Sequence, residues 1–420
     1  MVFRTFRSVA AFLAAGASGI FAPASADGLQ RAALAPFASP QVVADVHLMR
    51  LEESLQRAMK TGDFVGLAVA VVRNGEVTFV RTYGETEIGS GAPVTEDTLF
   101  RIASLSKGFA STMAGIAVSE GKLTLDTPAT GFAPELALPG TGERSLTLAH
   151  LLSHRTGLPP NAYDNLLEAG ISPLAILPQY RKVKPICPPA DCYAYQNVTY
   201  DLAGRAVANA YGDTFTHLVS ERIFKPLGML TASYGRDALM LSGNWARPHT
   251  RKTQRDPALP AHPWTRIDVK APYYATPAAG GVNASITDMA QWLKAQLGNA
   301  PDVLSPGVLD LIHTPQVATP SETRRMRAAL PALSASHYGY GWRVYEYAGQ
   351  TVVSHGGSVD GYGAQIMFLP ARNVGIVVLA NARSRRMGRI APMFLDLTLG
   401  LPTRDWLELE EPDPAITSSP

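Results

Sequence analysis

Phe100–Ser111, with the sequence FRIASLSKGFAS, is the stretch that decides the fold and the chemistry of this chain. Ser104 and Lys107 are three residues apart, so a helix carries both side chains on one face. An alcohol is a poor nucleophile near neutral pH, and an adjacent amine is one of the groups that activates it. If Ser104 lies in the first turn, the free N–H groups there favour developing negative charge. The pattern predicts a serine that performs acyl transfer.

The helix that follows Ser104 is predicted to be central. Leu105, Phe109, Met113 and Ile116 form one apolar stripe, and glycines and alanines occupy the other sides. Few charges and many small side chains are typical of a helix that packs on several sides. A second Ser-x-x-Lys match, Ser119–Lys122, lies where this helix should end, and there the dipole disfavours an alkoxide. We interpret that second match as part of the C-terminal cap.

Strand patterns occur at both ends of the chain, and helical patterns lie between them. VGLAVAVVR (65–73) and EVTFVRTYG (76–84) flank Asn74-Gly75, a hairpin signal, and strand patterns return after residue 335. Helices are predicted near 46–60, 146–154, 198–211, 285–298 and 389–399. The fold class is therefore α+β: an antiparallel sheet is built from both chain ends, is flanked by helices, and carries an inserted all-helical domain.

The predicted domain boundaries follow this order. Residues 46–110 and 280–400 form the sheet domain, and residues 111–279 form the mainly helical insertion. An acidic, proline-rich stretch, 401–420, is predicted to be a flexible tail. The active site is expected at the seam between the two parts, because pockets often form there.

Residues 1–26 have the pattern of a secretory signal peptide. Arg4 and Arg7 precede an apolar run that ends in Ala24-Ser25-Ala26, a small-residue cleavage site. The alternative is a buried N-terminal helix. Removal of this segment lowers the formal charge from +2 to 0, which leaves no basic surplus for nucleic acid or an anionic membrane. We expect a periplasmic or secreted protein with no membrane span after processing.

The chain has two cysteines, Cys187 and Cys192, in the sequence CPPADC. An oxidising compartment would allow them to form a small disulfide ring. A zinc site needs more ligands than this pair offers, and no histidine-rich motif is nearby. No dinucleotide, Walker-type or HExxH pattern occurs either. We therefore expect neither a metal nor a cofactor.

Tyr195-Gln196-Asn197 offers a phenol and an amide on one side of an extended segment. Proton transfer between a nucleophile and a leaving group needs a second group, and a phenol becomes a base only if neighbouring positive charge favours phenolate. The alternative interpretation is a buried aromatic followed by an N-cap asparagine. Tyr163-Asp164-Asn165 matches the same pattern but lies in a polar loop.

His355-Gly356-Gly357 ends the apolar strand TVVS. Two glycines let a substrate approach the backbone, where N–H groups can help bind an oxyanion together with the N–H of the nucleophile. Alone, this motif is more typical of a turn that ends a strand. Arg155-Thr156-Gly157 is a rival, but it follows the helix 146–154 and is interpreted as structural.

These three motifs, in this order, resemble the penicillin-recognising serine hydrolases, which include class C β-lactamases, D-Ala-D-Ala carboxypeptidases and related esterases. The family motifs SxxK, YxN and [KH]xG correspond to Ser104–Lys107, Tyr195–Asn197 and His355–Gly357. The resemblance extends over about residues 50–400 and includes LLSHRTGLP, AAGGVNASITDMAQW and YGYGW.

The resemblance implies a β-lactamase/transpeptidase-like fold and an acyl-enzyme mechanism without a metal. It implies that Ser104 attacks the carbonyl, that Lys107 and Tyr195 share the proton transfer, and that either of them is the base. Asn197 would hold a substrate amide, and the N–H groups of Ser104 and Ser358 would form the oxyanion hole.

The third motif departs from the class C pattern, because it carries histidine where those enzymes usually have lysine. His355 would line the pocket and, when protonated, meet a substrate carboxylate. The histidine form resembles carboxypeptidase and esterase members more closely. The expected substrates are thus β-lactams or D-amino-acid peptides. A carboxylesterase with the same machinery and a sensor that binds cell-wall fragments with little turnover are the alternatives.

Overall fold

The computed structural model describes residues 40–254 and 261–410, with side chains from Asp45 onward. Contacts divide the chain into Met1–Val43 and Ala44–Pro420, and apart from the first four residues of a helix that begins at Pro40, the features below belong to the second unit. The predicted signal segment, 1–26, and residues 411–420 of the predicted tail lie outside the described residues.

The described strands are β1 (Gly66–Arg73), β2 (Glu76–Gly84), β3 (Phe100–Arg101), β4 (Ser233–Tyr234), β5 (His249–Thr250), β6 (Thr265–Arg266), β7 (Val282–Ala284), β8 (Val317–Ala318), β9 (Leu333–Tyr338), β10 (Arg343–Tyr347), β11 (Gln350–Val359), β12 (Tyr362–Leu369) and β13 (Val374–Ala380).

The described α-helices are α1 (Pro40–Lys60), α2 (Ser106–Ser119), α3 (Ala129–Phe132), α4 (Leu148–Leu152), α5 (Asp164–Glu168), α6 (Pro173–Ile176), α7 (Val198–Tyr211), α8 (Phe215–Val219), α9 (Arg236–Leu241), α10 (Pro277–Gly280), α11 (Ile286–Gln296), α12 (Pro306–His313), α13 (Pro320–Met326) and α14 (Met387–Leu399). Among the short helical turns, Ala103–Leu105 directly precedes α2.

The main sheet has eight antiparallel strands in the order β2-β1-β13-β12-β11-β10-β9-β8. Its first two strands come from the beginning of the chain and the others from the end, so the prediction of a sheet built from both ends is confirmed. The α+β class is confirmed with it. The helix predicted at 198–211 is α7, and Ser285 and Asp288 form the predicted capping box of α11.

Each face of the sheet contributes to a different hydrophobic core, and β1 shows why. Leu67, Val69 and Val71 pack in the core that includes α1 and α14, whereas Ala68, Ala70 and Val72 pack in the core that includes α2 and α11. Successive residues of a strand point to opposite faces, so this strand has to be apolar throughout. The predicted central helix, α2, is buried over most of its length.

The expectation of a flexible tail from residue 401 is wrong for its first part. Trp406 and Leu407 are buried in the core beside α14, and the Trp406 indole N–H donates to Asp396 at 2.8 Å. Two large apolar side chains in an otherwise acidic stretch find a place in the core. Their burial offsets the entropy lost when the segment becomes ordered.

Candidate active site

Ser104 lies in the helical turn Ala103–Leu105, just before α2 begins at Ser106. The sequence placed it in the first turn of the helix itself. The residue before it, Ala103, has φ of 50°, in the left-handed region that favours glycine. Backbone strain of this kind is typical of functional sites, where the surrounding structure enforces it. The turn thereby presents Ser104 at the base of a cleft instead of in the helix interior.

Lys107 is fully buried behind Ser104. Its Nζ donates to Asn197 Oδ1 at 2.8 Å and to the carbonyl of Ala279 at 3.0 Å, and it lies 4.7 Å from the centre of the Tyr195 ring. Burial lowers the pKa of Lys107 to about 7, although the carboxylates of Asp164 and Asp201 oppose this shift. A lysine in this state is an unprotonated amine in a large fraction of molecules at neutral pH.

Tyr195 interacts with the Ser104 side chain. Burial raises the pKa of Tyr195 well above its ordinary value of 10.0, even though this interaction and the charge of Arg343 act in the opposite direction. The phenol therefore keeps its proton near neutral pH. These two pKa shifts favour Lys107 over Tyr195 as the group that accepts a proton.

Asn197 occupies the N-cap position of α7, but its side chain does not cap the helix. Its Oδ1 accepts from Lys107, and its Nδ2 donates to Asp164 Oδ2 at 2.6 Å. The amide is thus held in one orientation by the Lys107 amino group on one side and the Asp164 carboxyl group on the other. The N-cap interpretation accounts for its position only.

Asp164 is the functional residue that the sequence reasoning missed, although it lies inside the rival motif Tyr163-Asp164-Asn165. The Tyr163 ring stacks on Tyr180 with 5.5 Å between centroids, while the Asp164 carboxyl accepts a hydrogen bond from Asn197. Burial raises the pKa of Asp164. The only signal in the sequence was an acidic residue in a match to the Tyr-x-Asn pattern.

The strand β11 forms the opposite wall of the cleft. Its pairing with β10 ends at Ser354, so the stretch after it has β12 on one side and the turn Ala103–Leu105 on the other. A Cβ on Gly357 would lie 2.3 Å from the carbonyl oxygen of Ile102, whereas a Cβ on Gly356 would meet nothing within 4 Å. Gly357 is therefore the glycine that lets the strand approach the nucleophile turn.

Ser104, Asn197 and Ser358 line one small cavity of 60 Å³, together with Tyr273 and Ala279. The cavity thus joins Ser104 and Asn197, from the first two sequence motifs, with Ser358, the residue that directly follows the third. The rival Ser119 is elsewhere: it is the last residue of α2, and its Oγ donates to the carbonyl of Ile116 at 2.8 Å.

His355 does not line this cavity, in contrast to the expectation. It is 2% exposed, its Nε2 lies 3.1 Å from the hydroxyl of Tyr338, and its Nδ1 lies 2.8 Å from the carbonyl of Gly356. Burial, followed by the charges of Arg343 and Lys107, lowers its pKa well below 6.5. A neutral imidazole with both nitrogens engaged is not available to bind a substrate carboxylate.

A larger cavity of 710 Å³ lies beside Tyr195. Its lining includes Arg343, Glu322 and Tyr193, and Cys192 forms part of its wall. Cys187 and Cys192 are joined in a disulfide. Arg343 has a side chain that is 19% exposed and forms an ion pair with Glu322. No sequence pattern had singled out this partly buried cation.

The part of the chain that the structure describes contains no group of three or more His, Cys, Asp or Glu side chains arranged to hold a metal ion. Within the same ranges, no helix has the length and apolar character needed to cross a bilayer.

Known proteins resemble this chain over most of its length. A family model described as Beta-lactamase matches residues 51–399, more than half of the chain. The unguisins hydrolases of Aspergillus campestris and Aspergillus violaceofuscus are 27% and 26% identical over 342 and 384 residues. The matches cover 78% and 84% of this chain but 60% and 65% of those relatives, so the chain spans less than two thirds of their length.

A beta-lactamase of Pseudomonas fluorescens is 24% identical over 376 residues, which is 79% of this chain and 92% of the relative. Among solved structures, the octameric penicillin-binding protein homologue from Pyrococcus abyssi matches with a TM-score of 0.72 and 24% identity. That match covers 84% of this chain and 78% of the other. It shows a shared penicillin-binding/transpeptidase-like fold.

Proposed function

This chain belongs to the beta-lactamase family, and we propose that it is an exported serine hydrolase that forms an acyl-enzyme at Ser104. Its proposed substrates are β-lactams or D-Ala-D-Ala-type peptides. The observation that carries the proposal is that Tyr195 stands between the other two groups. It interacts with the Ser104 side chain, and the buried Lys107 amine, whose pKa is lowered to about 7, lies 4.7 Å from the centre of its ring.

The proposed reaction uses these groups in turn. The Ser104 hydroxyl attacks the carbonyl carbon of the substrate, and its proton passes to the neutral Lys107 amine through the Tyr195 hydroxyl. The oxyanion of the tetrahedral intermediate faces the N–H groups of Ser104 and Ser358. When the C–N bond breaks, the leaving nitrogen takes a proton from the Tyr195 phenol, which is restored from the Lys107 ammonium. Water then cleaves the ester by the same proton path.

The cavity beside Tyr195 supports a substrate with an anionic end. Arg343 is a permanent cation in its lining, and its guanidinium has five N–H donors, of which Glu322 uses only part. Because Tyr195 faces both Ser104 and this cavity, the leaving half of a peptide or β-lactam would enter it. A free carboxylate on that half would meet the Arg343 guanidinium.

The alternative function is a carboxylesterase with the same machinery, and the neutral state of His355 favours it. A neutral imidazole removes one of the cations that a carboxylate-specific site would use. The two functions differ in how they treat a substrate that lacks the carboxylate.

Covalent labelling with a fluorescent penicillin tests the proposed nucleophile. We expect one adduct, located by mass spectrometry on a peptide that contains Ser104, and no adduct in Ser104→Ala. Ser119→Ala is the matched control, because it removes the serine of the other Ser-x-x-Lys sequence, and it should label like the wild type. Labelling that survives in Ser104→Ala would refute the assignment, and an adduct that persists for hours without product would favour the sensor.

A substrate comparison separates the two enzymatic functions. A D-Ala-D-Ala peptide with a free C-terminus, the same peptide as its C-terminal amide, a chromogenic cephalosporin and a short-chain p-nitrophenyl ester should be compared by kcat/KM. The proposal expects the free carboxylate to be preferred over the amide. Equal rates for the two peptides, together with faster turnover of the ester, would establish the esterase instead.

Export is part of the same proposal. The charged and apolar pattern of residues 1–26 motivates it, and the Cys187–Cys192 disulfide supports it because such bonds persist in oxidising compartments. Mass spectrometry of the expressed protein should find an N-terminus near Asp27 in the periplasm or the medium. An intact N-terminus in the cytoplasm would contradict it.

A further inference from the structure

Three buried side chains behind the cleft form a continuous hydrogen-bonded chain. His154, Tyr338 and His355 are 0%, 0% and 2% exposed. The Tyr338 hydroxyl lies 3.1 Å from His154 Nε2 and 3.1 Å from His355 Nε2. At its ends, His154 Nδ1 is 3.1 Å from the backbone nitrogen of Gln196, and His355 Nδ1 is 2.8 Å from the carbonyl of Gly356.

The backbone groups at the two ends determine the direction of every hydrogen bond in this chain. The Gln196 N–H can only donate, so His154 Nδ1 accepts and its Nε2 carries the proton. The Gly356 carbonyl can only accept, so His355 Nδ1 donates and its Nε2 is the acceptor. Tyr338 then accepts from His154 and donates to His355. Both histidines are neutral, in opposite tautomers.

The chain connects the two walls of the cleft. Gln196 lies between Tyr195 and Asn197, and Gly356 lies on β11 next to the glycine that approaches the nucleophile turn. The His154 ring also packs against the Tyr195 ring, with 4.4 Å between centroids. The hydrogen bonds within this chain use all the donors and acceptors that the three side chains direct at one another. A shift of either wall of the cleft would therefore break a buried hydrogen bond.

We propose that His154, Tyr338 and His355 act as a positioning relay that sets the Tyr195 hydroxyl and the β11 backbone at the distance from Ser104 that acyl transfer requires. None of the three touches the reacting atoms, so they are positioning residues. The inference rests on the proposed function only in taking Tyr195 as a proton-transfer group.

Protonation of either histidine would break the relay. A second proton on His154 would face the Gln196 N–H, and a second proton on His355 would leave the Tyr338 hydroxyl hydrogen without its acceptor. The charged groups that face the relay are Lys107 on α2 and Arg343 on β10, and both oppose a further positive charge. The Tyr338 phenol within the relay is neutral because burial raises its pKa, and the same holds for the three phenols that pack against the His154 ring, Tyr193, Tyr195 and Tyr200.

Substitution of the middle residue tests the relay, and the chain supplies a matched control. Tyr338→Phe removes one hydroxyl and keeps the ring. Tyr340→Phe does the same two residues later, where a tyrosine that is 5% exposed donates to Gln316 at 3.0 Å. We expect Tyr338→Phe to lower kcat by roughly 10- to 100-fold with little change in KM, because small misplacements of catalytic groups have effects of this size. Tyr340→Phe should retain wild-type kcat.

Nitrogen NMR of labelled histidine side chains tests the relay without any substrate. The wild type should show one histidine protonated at Nε2 and one at Nδ1, assigned with His154→Asn and His355→Asn. Neither should titrate near the ordinary histidine pKa of 6.5. In Tyr338→Phe this tautomer pattern should be lost for at least one ring. Because this readout needs no turnover, it can succeed even if the proposed function fails.

Two results would overturn the relay. One is a wild-type His355 that titrates near its ordinary pKa of 6.5. The other is equal kcat in Tyr338→Phe and Tyr340→Phe when both are normalised to the folded fraction, which would reduce Tyr338 to a packing residue.

Discussion

Lys107→Met should change how the stability of the protein depends on pH. Burial lowers the pKa of Lys107 from 10.5 to about 7. Below pH 7 the amine is protonated in both the folded and the unfolded chain, so the folded state bears the full cost of the buried charge. Between pH 7 and 10.5 only the unfolded chain holds this proton, so the free energy of unfolding rises with pH.

The magnitude follows from the shift. Each unit of pKa corresponds to about 1.4 kcal/mol, so the buried ammonium costs roughly 5 kcal/mol below pH 7. Integration of the linkage relation from pH 7 to pH 9 recovers about 2 kcal/mol of this cost. Methionine has no proton to lose and a similar length. The difference in unfolding free energy between wild type and Lys107→Met should therefore move by about 2 kcal/mol in favour of the wild type over that interval.

Urea unfolding at several pH values, followed by tryptophan fluorescence, measures this difference, since Trp292 and Trp342 are buried. The loss of the hydrogen bonds to Asn197 and Ala279 lowers the stability of the variant at every pH and does not affect the slope. Lys122→Met is the control, because Lys122 is exposed. The difference in unfolding free energy between wild type and this variant should not change with pH. A flat difference for Lys107→Met as well would refute the argument that burial prepares Lys107 to act as a base.

Three further predictions concern activity. First, kcat/KM should rise with pH through an inflection near 7, where Lys107 loses its proton, and remain high up to about pH 10, because the pKa of Tyr195 is raised; an inflection only above pH 9 would contradict Lys107 as the base. Second, Gly357→Ala should lower stability by about 1–3 kcal/mol in thermal unfolding and reduce kcat/KM at least tenfold. Gly356→Ala is the control and should change neither quantity. Equal effects of the two substitutions would show that the close approach of β11 to the turn Ala103–Leu105 is unimportant. Third, Asp164→Asn should shift the lower inflection of the pH profile to more acidic pH, because it removes a negative charge that favours the Lys107 ammonium. The same substitution should raise KM, because it releases the Asn197 amide. An unchanged pH profile would show that Asp164 is not part of the site.

The local parts of this protein were predictable because they depend on short spacings along the chain. Ser104 and Lys107 are brought together by three intervening peptide bonds, and the alternation of β1 follows from the period of a strand. The capping box at Ser285 is of the same kind. For such features the neighbours in sequence are also the neighbours in space.

The tail shows where composition misleads. An acidic, proline-rich stretch predicts disorder on average, but the placement of Trp406 and Leu407 depends on whether a core has room for them. That is a property of α14 and its surroundings and cannot be obtained from the tail itself.

The sequence by itself determined the sheet built from two chain ends and the central helix, and it singled out Ser104 and Lys107 as the proposed nucleophile and its partner. Only the tertiary structure decided that Asp164 orients Asn197, that Arg343 lines a cavity beside Tyr195, and that His355 is neutral and engaged behind the cleft. The physical reason is that orientation, desolvation and charge state depend on atoms distant in the chain. A motif specifies which group is present, and the packing around it decides what that group can do.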